Sequence, residues 1–232
     1  MLTNESPFAI KEAYVKLRTS LLFCMTADKE RPCSTFAITS AKPSEGKSLT
    51  AANIAISYAM LGKRVLLVDA DMRKPTQRRL WKVRSTAGLC DFLAKISRLE
   101  LVKVTDLPLW IVCTGTIPPN PTELLSAPMT EKIFASLQKA FDYVIVDTPP
   151  VSLVTDAAVL CRMADGVLLV VRPGVTTIQS AQLSKKNLEA VNAHILGVVM
   201  NGYNGKQSGR RDGYSYAYSY SYYDEDKKGN DA

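Results

Sequence analysis

The sequence predicts an α/β fold: a mostly parallel sheet flanked by helices, followed by a flexible, tyrosine-rich C-terminal tail. Three observations predict it. Short apolar runs alternate with longer stretches of helical apolar spacing up to Asn201. Several runs, such as Val65-Leu66-Leu67-Val68, are continuously apolar, as suits parallel strands covered on both faces. Beyond Asn201 aliphatic residues almost vanish, and such a segment cannot bury a core.

The elements follow in order. Pro7–Met25 reads as a separate amphipathic helix, with Ile10, Tyr14, Leu17, Leu21 and Leu22 in register. Cys33–Ser40 is a short strand, a turn follows, and Ser48–Leu61 has helical spacing through Leu49, Ala52, Ile56 and Ala59. Lys63–Asp69 and Leu109–Cys113 are strands, and Thr122–Phe141 reads as one helix. The series then runs strand Asp142–Asp147, helix Asp156–Ala164, strand Gly166–Val171, helix Ile178–Ala193 and strand Ile195–Met200. The chain thus divides into a body of residues 1–201, with a helix at about 7–25, and a tail of residues 202–232.

Composition narrows the class. The 232 residues carry 29 Lys+Arg against 22 Asp+Glu, a net charge of +7. In the tail, Lys206, Arg210, Arg211, Lys227 and Lys228 cancel Asp212, Asp224, Glu225, Asp226 and Asp231, so the excess belongs to the body. There is no uncharged apolar run long enough to span a bilayer, and Met1–Lys11 lacks the pattern of a signal peptide. Five scattered cysteines without a CxxC pair read as reduced thiols. His194 is the only histidine, which excludes His-based triads and multi-His metal sites; Trp81 and Trp110 read as packing or partner-facing residues. The basic residues are dispersed and no helix-turn-helix is visible, so nucleic acid is not an expected partner.

Between the first strand and the next helix lies Ala41-Lys42-Pro43-Ser44-Glu45-Gly46-Lys47-Ser48. It matches GxxxxGK[ST] except that Ala41 replaces the first glycine, and strand, loop and helix stand in the order the motif requires. This makes the fold a P-loop NTPase fold. Backbone amides of Lys42, Ser44, Glu45, Gly46 and Leu49, with Pro43 as a turn former, would surround ATP phosphates. Lys47 would reach the β/γ-phosphates and the Ser48 hydroxyl would ligate Mg²⁺.

Three carboxylates follow apolar strands: Asp69 and Asp71 after Val68, and Asp147 after Val146. Strand C-termini share one edge of a parallel sheet, where such folds bind ligands. Mg²⁺ needs one or two carboxylates beside phosphate oxygens, and a third can accept a proton from an attacking hydroxyl. Arg73 is either a phosphate clamp or half of a surface ion pair. Asn201, ending the last strand, either contacts adenine or starts a turn.

Ser44-Glu45-Gly46-Lys47-Ser48, Val68-Asp69-Ala70-Asp71-Met72-Arg73-Lys74-Pro75, the stretch Gly115–Leu125, Val146-Asp147-Thr148-Pro149-Pro150 and a tyrosine-rich C-terminus together resemble the bacterial tyrosine kinases of capsule and exopolysaccharide synthesis. The resemblance runs from about Glu12 into the tail. It implies a MgATP-dependent autokinase of the soluble type that transfers the γ-phosphoryl to its own tyrosine cluster, on a neighbour in a ring-like homo-oligomer. It further implies a membrane polysaccharide co-polymerase whose cytoplasmic C-terminal segment activates the kinase, a cognate phosphotyrosine phosphatase, and a cytoplasmic place against the inner face of the membrane. By match, Lys47, Asp69, Asp71 and Arg73 carry catalysis, and Ser48, Asp71 and Asp147 hold the metal. Asp69 is the favoured base, though the sequence does not separate it from Asp71. Glu12 and Arg18 match the family's interface helix, where Val15 replaces an arginine.

Six of the ten tyrosines, Tyr214, Tyr216, Tyr218, Tyr220, Tyr222 and Tyr223, crowd one stretch of the tail. A flexible chain of this pattern can offer one hydroxyl after another to a neighbour's cleft. Each phosphate would add about −1.5 to −2 charge. Two other classes compete with the kinase. One is a ParA/MinD-like ATPase switch acting in partition or positioning; Lys42 stands where such proteins carry an extra lysine, but Pro43-Ser44 rather than glycines follow it, so the match reads as coincidence. The other is a non-catalytic scaffold.

Overall fold

A computed structural model describes residues 1–25 and 33–203. The elements are α1 (Phe8–Met25), β1 (Ser34–Ser40), α2 (Lys47–Ala59), β2 (Val65–Asp69), α3 (Gln77–Leu80), α4 (Leu89–Leu93), β3 (Val102–Lys103), β4 (Leu109–Val112), α5 (Pro121–Leu125), α6 (Pro128–Ala140), β5 (Tyr143–Asp147), α7 (Asp156–Met163), β6 (Gly166–Val171), α8 (Ile178–Glu189) and β7 (Ile195–Met200). The seven strands form one sheet in the order β3-β4-β2-β5-β1-β6-β7. All neighbours pair in parallel except β3 with β4.

The apolar runs are buried on both faces because successive side chains point to opposite sides of a strand. In β2, Val65 and Leu67 join the cluster beneath α1 and α2, whereas Leu66 and Val68 join the cluster formed with α4, α5 and α6. In β5, Ile145 takes the first face and Val144 and Val146 the second. Helix α2 is buried almost all round, from Thr50 through Ala59, since it lies on the sheet and is itself covered by α1. The loops after β1, β2 and β5 therefore meet at one edge, with Asp69 of β2 in register with Asp147 of β5.

Three expectations are corrected. The helix expected over Thr122–Phe141 is two helices, α5 and α6. Pro128 stands at the first position of α6, and the preceding Ala127 is extended (φ −68°, ψ 144°), as the residue before proline tends to be. The short α3, α4 and β3 were not expected, being too brief for any periodicity to show. In α1 the stripe facing the core is Tyr14, Leu17 and Leu21, while Leu22 and Ile10 are exposed. All five cysteines are free thiols. No helix among the described residues is long and apolar enough to cross a membrane. The tail and its six tyrosines lie outside the described residues.

Candidate functional site: a phosphate loop beside buried carboxylates

The loop after β1 is shaped by its own side chains. Gly46, immediately before α2, has φ +91°, a left-handed conformation that glycine adopts without steric cost. The wholly buried Glu45 turns inward: its carboxylate accepts from the Lys42 amide at 2.8 Å and from the Thr176 hydroxyl. Ser40 Oγ donates to the Lys42 carbonyl at 2.8 Å, and the Ser152 hydroxyl donates to the carbonyl of Ala41. The Asn201 side-chain amide donates to the Glu45 carbonyl at 2.9 Å. Asn201 is thus a pin that closes the loop from β7. Ala41 is wholly buried, so the position that usually carries glycine packs as core.

Lys47 opens α2 and projects into the cluster. Its Nζ lies 2.9 Å from Asp71 Oδ2, 3.2 Å from Asp147 Oδ1 and 3.2 Å from Ser48 Oγ. Burial acts to lower its pKa, but the charges of Asp147 and Asp71 outweigh this and raise it. The ammonium is therefore firmly charged.

The three carboxylates do not occupy equivalent places. A cleft of about 390 Å³ is lined by the phosphate loop, by Asp71, Arg73, Lys74 and Arg79, and by Pro149 and Pro150. Asp71 lines it, although it is itself buried; Asp69 and Asp147, each wholly buried, do not. Asp69 Oδ2 accepts the Thr76 and Gln77 amides at 3.1 and 2.9 Å, while its Oδ1 has no hydrogen-bond partner among the described residues. Burial first, and then the charge of Asp147, pushes the Asp69 carboxyl up to about 8. Asp71 Oδ1 instead accepts the amides of Arg73 and Lys74.

Arg73 forms an ion pair. Its Nε and Nη2 meet Asp156 at 2.6 and 3.2 Å, and Asp156 also accepts from the Thr122 hydroxyl. The pair is lopsided, with the arginine side chain 44% exposed and the carboxylate 1%. Burial works to raise the Asp156 pKa, but the bonds from Arg73 and Thr122 prevail and hold it below its usual value. Near the C-terminal end of α2, Arg18 donates to the Ser57 carbonyl at 2.7 Å and to its hydroxyl at 3.1 Å, within its own chain. Glu12 is half-buried on the same helix.

Sequence reasoning missed several contributors. Gln77, Asp156, Thr176 and the cleft cation Arg79 belong to no motif that spacing could reveal, and Lys74, though inside the second motif, was not singled out. The inward turn of Glu45 is invisible until Thr176 arrives from the loop after β6.

The donor set fits a hard divalent cation. Ser48, Asp71 and Asp147 offer only oxygen, clustered at the start of a helix, and Mg²⁺ shared with phosphates needs no more than one or two carboxylates. No group of three His, Cys, Asp or Glu among the described residues is arranged to hold a metal unaided. Strand, glycine turn, lysine and helix N-terminus, with strand-end acids beside them, define a P-loop nucleoside-triphosphate-binding protein.

Comparison with known proteins carries the assignment further. The AAA domain family matches residues 33–196. The chain is 41% identical over 193 residues to the tyrosine-protein kinase YwqD of Bacillus subtilis, covering 82% of this chain and 80% of that one. It superposes on the kinase domain of the Escherichia coli tyrosine kinase ETK with a TM-score of 0.78 at 33% identity, covering 87% and 82% of the two chains. The chain belongs to the bacterial tyrosine kinases and is a tyrosine-protein kinase. The cell-division protein MinD of Pyrococcus horikoshii, solved with Mg-ADP, is 22% identical with a TM-score of 0.64, covering 74% and 71% of the chains, and shares the fold.

Proposed function

We propose that this kinase uses MgATP to phosphorylate its own C-terminal tyrosines, Tyr214, Tyr216, Tyr218, Tyr220, Tyr222 and Tyr223, in trans within a ring-like homo-oligomer. Through this it regulates capsular or exopolysaccharide synthesis. A membrane co-polymerase is its activator, a phosphotyrosine phosphatase its antagonist, and the inner face of the membrane its place of work. The observation that carries the reading is Lys47, held between Asp71 and Asp147 at the start of α2 beside an open cleft.

The phosphate-loop amides, Lys47 and the start of α2 bind and orient the phosphates. Ser48 and Asp147 would hold Mg²⁺, which would supply charge neutralisation. The tyrosine oxygen attacks the γ-phosphorus, the bond to the β,γ-bridging oxygen breaks, and ADP leaves. The phenolic proton passes to Asp71, the carboxylate that lines the cleft, in place of Asp69, the base favoured by the family match, which does not line it. Positioning and electrostatic stabilisation do most of the work in such a transfer. Asn201, bonded to the loop, acts through loop shape. Arg73, paired with Asp156, presents its exposed remainder to the cleft. Helix α1, with Glu12 and Arg18, serves the oligomer.

The test mixes two chains. One carries Lys47→Met and an intact tail; the other is active but has its six tail tyrosines changed to phenylalanine. Phosphotyrosine on the Lys47→Met tail supports transfer in trans. Release of free phosphate with no phosphotyrosine on any chain, the wild type included, would sink the proposal.

A further inference from the structure

Gln77 belongs to no nucleotide-binding motif, yet it touches all three of them. It opens α3, whose Arg79 and Leu80 wall the cleft, and it is itself wholly buried. Its backbone amide donates to Asp69 Oδ2 at 2.9 Å. Its side-chain Nε2 donates to Asp147 Oδ2 at 2.8 Å and to the Ser48 carbonyl at 2.9 Å. Its Oε1 accepts the indole N–H of Trp81, one helical turn on, at 3.1 Å.

This use of the group is specific to an amide. Both N–H bonds are spent on acceptors, and the oxygen is spent on a donor. A carboxylate here would set a second negative charge against Asp147. An apolar isostere would leave Asp147 Oδ2 and the Ser48 carbonyl without these bonds in a buried place. Asp147 has two oxygens with different partners: Oδ1 faces Lys47 and Oδ2 faces Gln77. Gln77 therefore fixes the rotation of the carboxylate about its own axis, and the same amide fixes the first turn of α2 at Ser48. Trp81 in turn fixes which way the amide is flipped, because an indole N–H can only donate.

We propose that Gln77 is a positioning residue for phosphoryl transfer, holding Asp147 and Ser48 in the geometry that receives the metal, and that Trp81 locks Gln77 and senses the occupancy of the site. This rests on Asp147 and Ser48 being the metal's protein ligands. Partners that orient metal ligands typically contribute about 10–100-fold to metal affinity.

The experiment measures the Mg²⁺ dependence of ADP binding by calorimetry on the full chain. Wild type, Gln77→Met, Gln77→Asn and Trp81→Phe are compared after circular dichroism and thermal melts establish that each is folded at the assay temperature. In Gln77→Met the half-saturating Mg²⁺ should rise about 10-fold or more, while ADP affinity without Mg²⁺ stays within about 2-fold. Trp81→Phe keeps the amide and loses only its lock, so its rise should be in the same direction and smaller. Where Gln77→Met does not fold, Gln77→Asn, whose shorter amide falls short of Asp147, and Trp81→Phe carry the comparison. With Trp110→Phe as background, Mg·ADP should shift the emission of Trp81, and Gln77→Met should abolish the shift. A merely structural glutamine would lower the melting temperature and leave the Mg²⁺ dependence alone; folded variants with wild-type Mg²⁺ dependence would overturn the inference. If wild type binds ADP with no response to Mg²⁺, the functional reading itself fails, which is a separate outcome.

Discussion

Gly46 and Asn201 approach more closely than any side chain on Gly46 would allow. A Cβ added to Gly46 would lie 1.9 Å from Asn201 Nδ2, and the backbone there has φ +91°. Gly46→Ala therefore meets two separate costs. The left-handed conformation costs an alanine about 1–2 kcal/mol. The methyl group also evicts the Asn201 amide, breaking its 2.9 Å bond to the Glu45 carbonyl, and such a bond contributes about 0.5–1.5 kcal/mol net. Together they give a destabilisation of roughly 1.5–3.5 kcal/mol. Asn201→Ala alone should lose only the bond, roughly 0.5–1.5 kcal/mol. The double variant has no bond left to lose twice, so it should be no less stable than Gly46→Ala. Urea unfolding of the four proteins, fitted as a mutant cycle, reads this directly. The expected coupling has the size of the Asn201–Glu45 bond. Strict additivity would refute the collision and with it the account of Asn201 as the pin of the phosphate loop.

Two further predictions concern the carboxylates. Asp69 has its carboxyl pushed up to about 8 by burial and by Asp147, so at pH 7 it is mainly neutral and Asn is a near isostere. For an acid with a raised folded pKa, the cost of keeping it in the fold begins above its unfolded value near 3.9 and stops growing above about 8. Asp69→Asn should therefore not weaken the fold at pH 7 and should reduce phosphotransfer less than about 10-fold, whereas Asp71→Asn should reduce it about 100-fold or more with ADP still bound. The opposite ranking in a phosphotyrosine assay would restore Asp69 as base. Asp156 has a lowered folded pKa, so the stability its pair with Arg73 contributes is present above about 3.9 and is lost as pH falls through the folded value. Arg73→Met should cost roughly 1.5–3 kcal/mol at pH 7, toward the lower figure because the arginine is half exposed. That gap should narrow below about pH 4; a gap that stays constant in urea midpoints down to pH 3 would count against the pair.

The body of the fold was legible because each central strand and its following helix carry their own period. Val65-Leu66-Leu67-Val68 is buried on both faces, and its continuous apolar run says so without reference to anything else. The segments that were misread or missed depend on neighbours. The stretch from Thr122 to Phe141 has helical spacing throughout, and only the extended backbone required of Ala127 before Pro128 divides it. Helix α3 is four residues long and exists because Asp69 accepts its first amides. No local propensity encodes that, since the acceptor lies on β2.

The candidate site divides along the same line. Lys47, Ser48, Asp71 and Asp147 were placed by motif spacing, since the motif is a local sequence on a local turn. Whether a strand-end aspartate opens on the cleft or closes behind it is a matter of what packs over it, and spacing is silent there. Asp69 and Asp71 are two residues apart and chemically identical, yet the loop that returns through Thr76 and Gln77 binds the first, and only the second lines the cleft. The same return places Gln77 against Asp147 and Ser48. The loop after β2 thus both chooses the carboxylate that faces the cleft and orients the ones that do not. Exchanging Thr76 or Gln77 should therefore alter catalysis even though neither residue belongs to the three motifs.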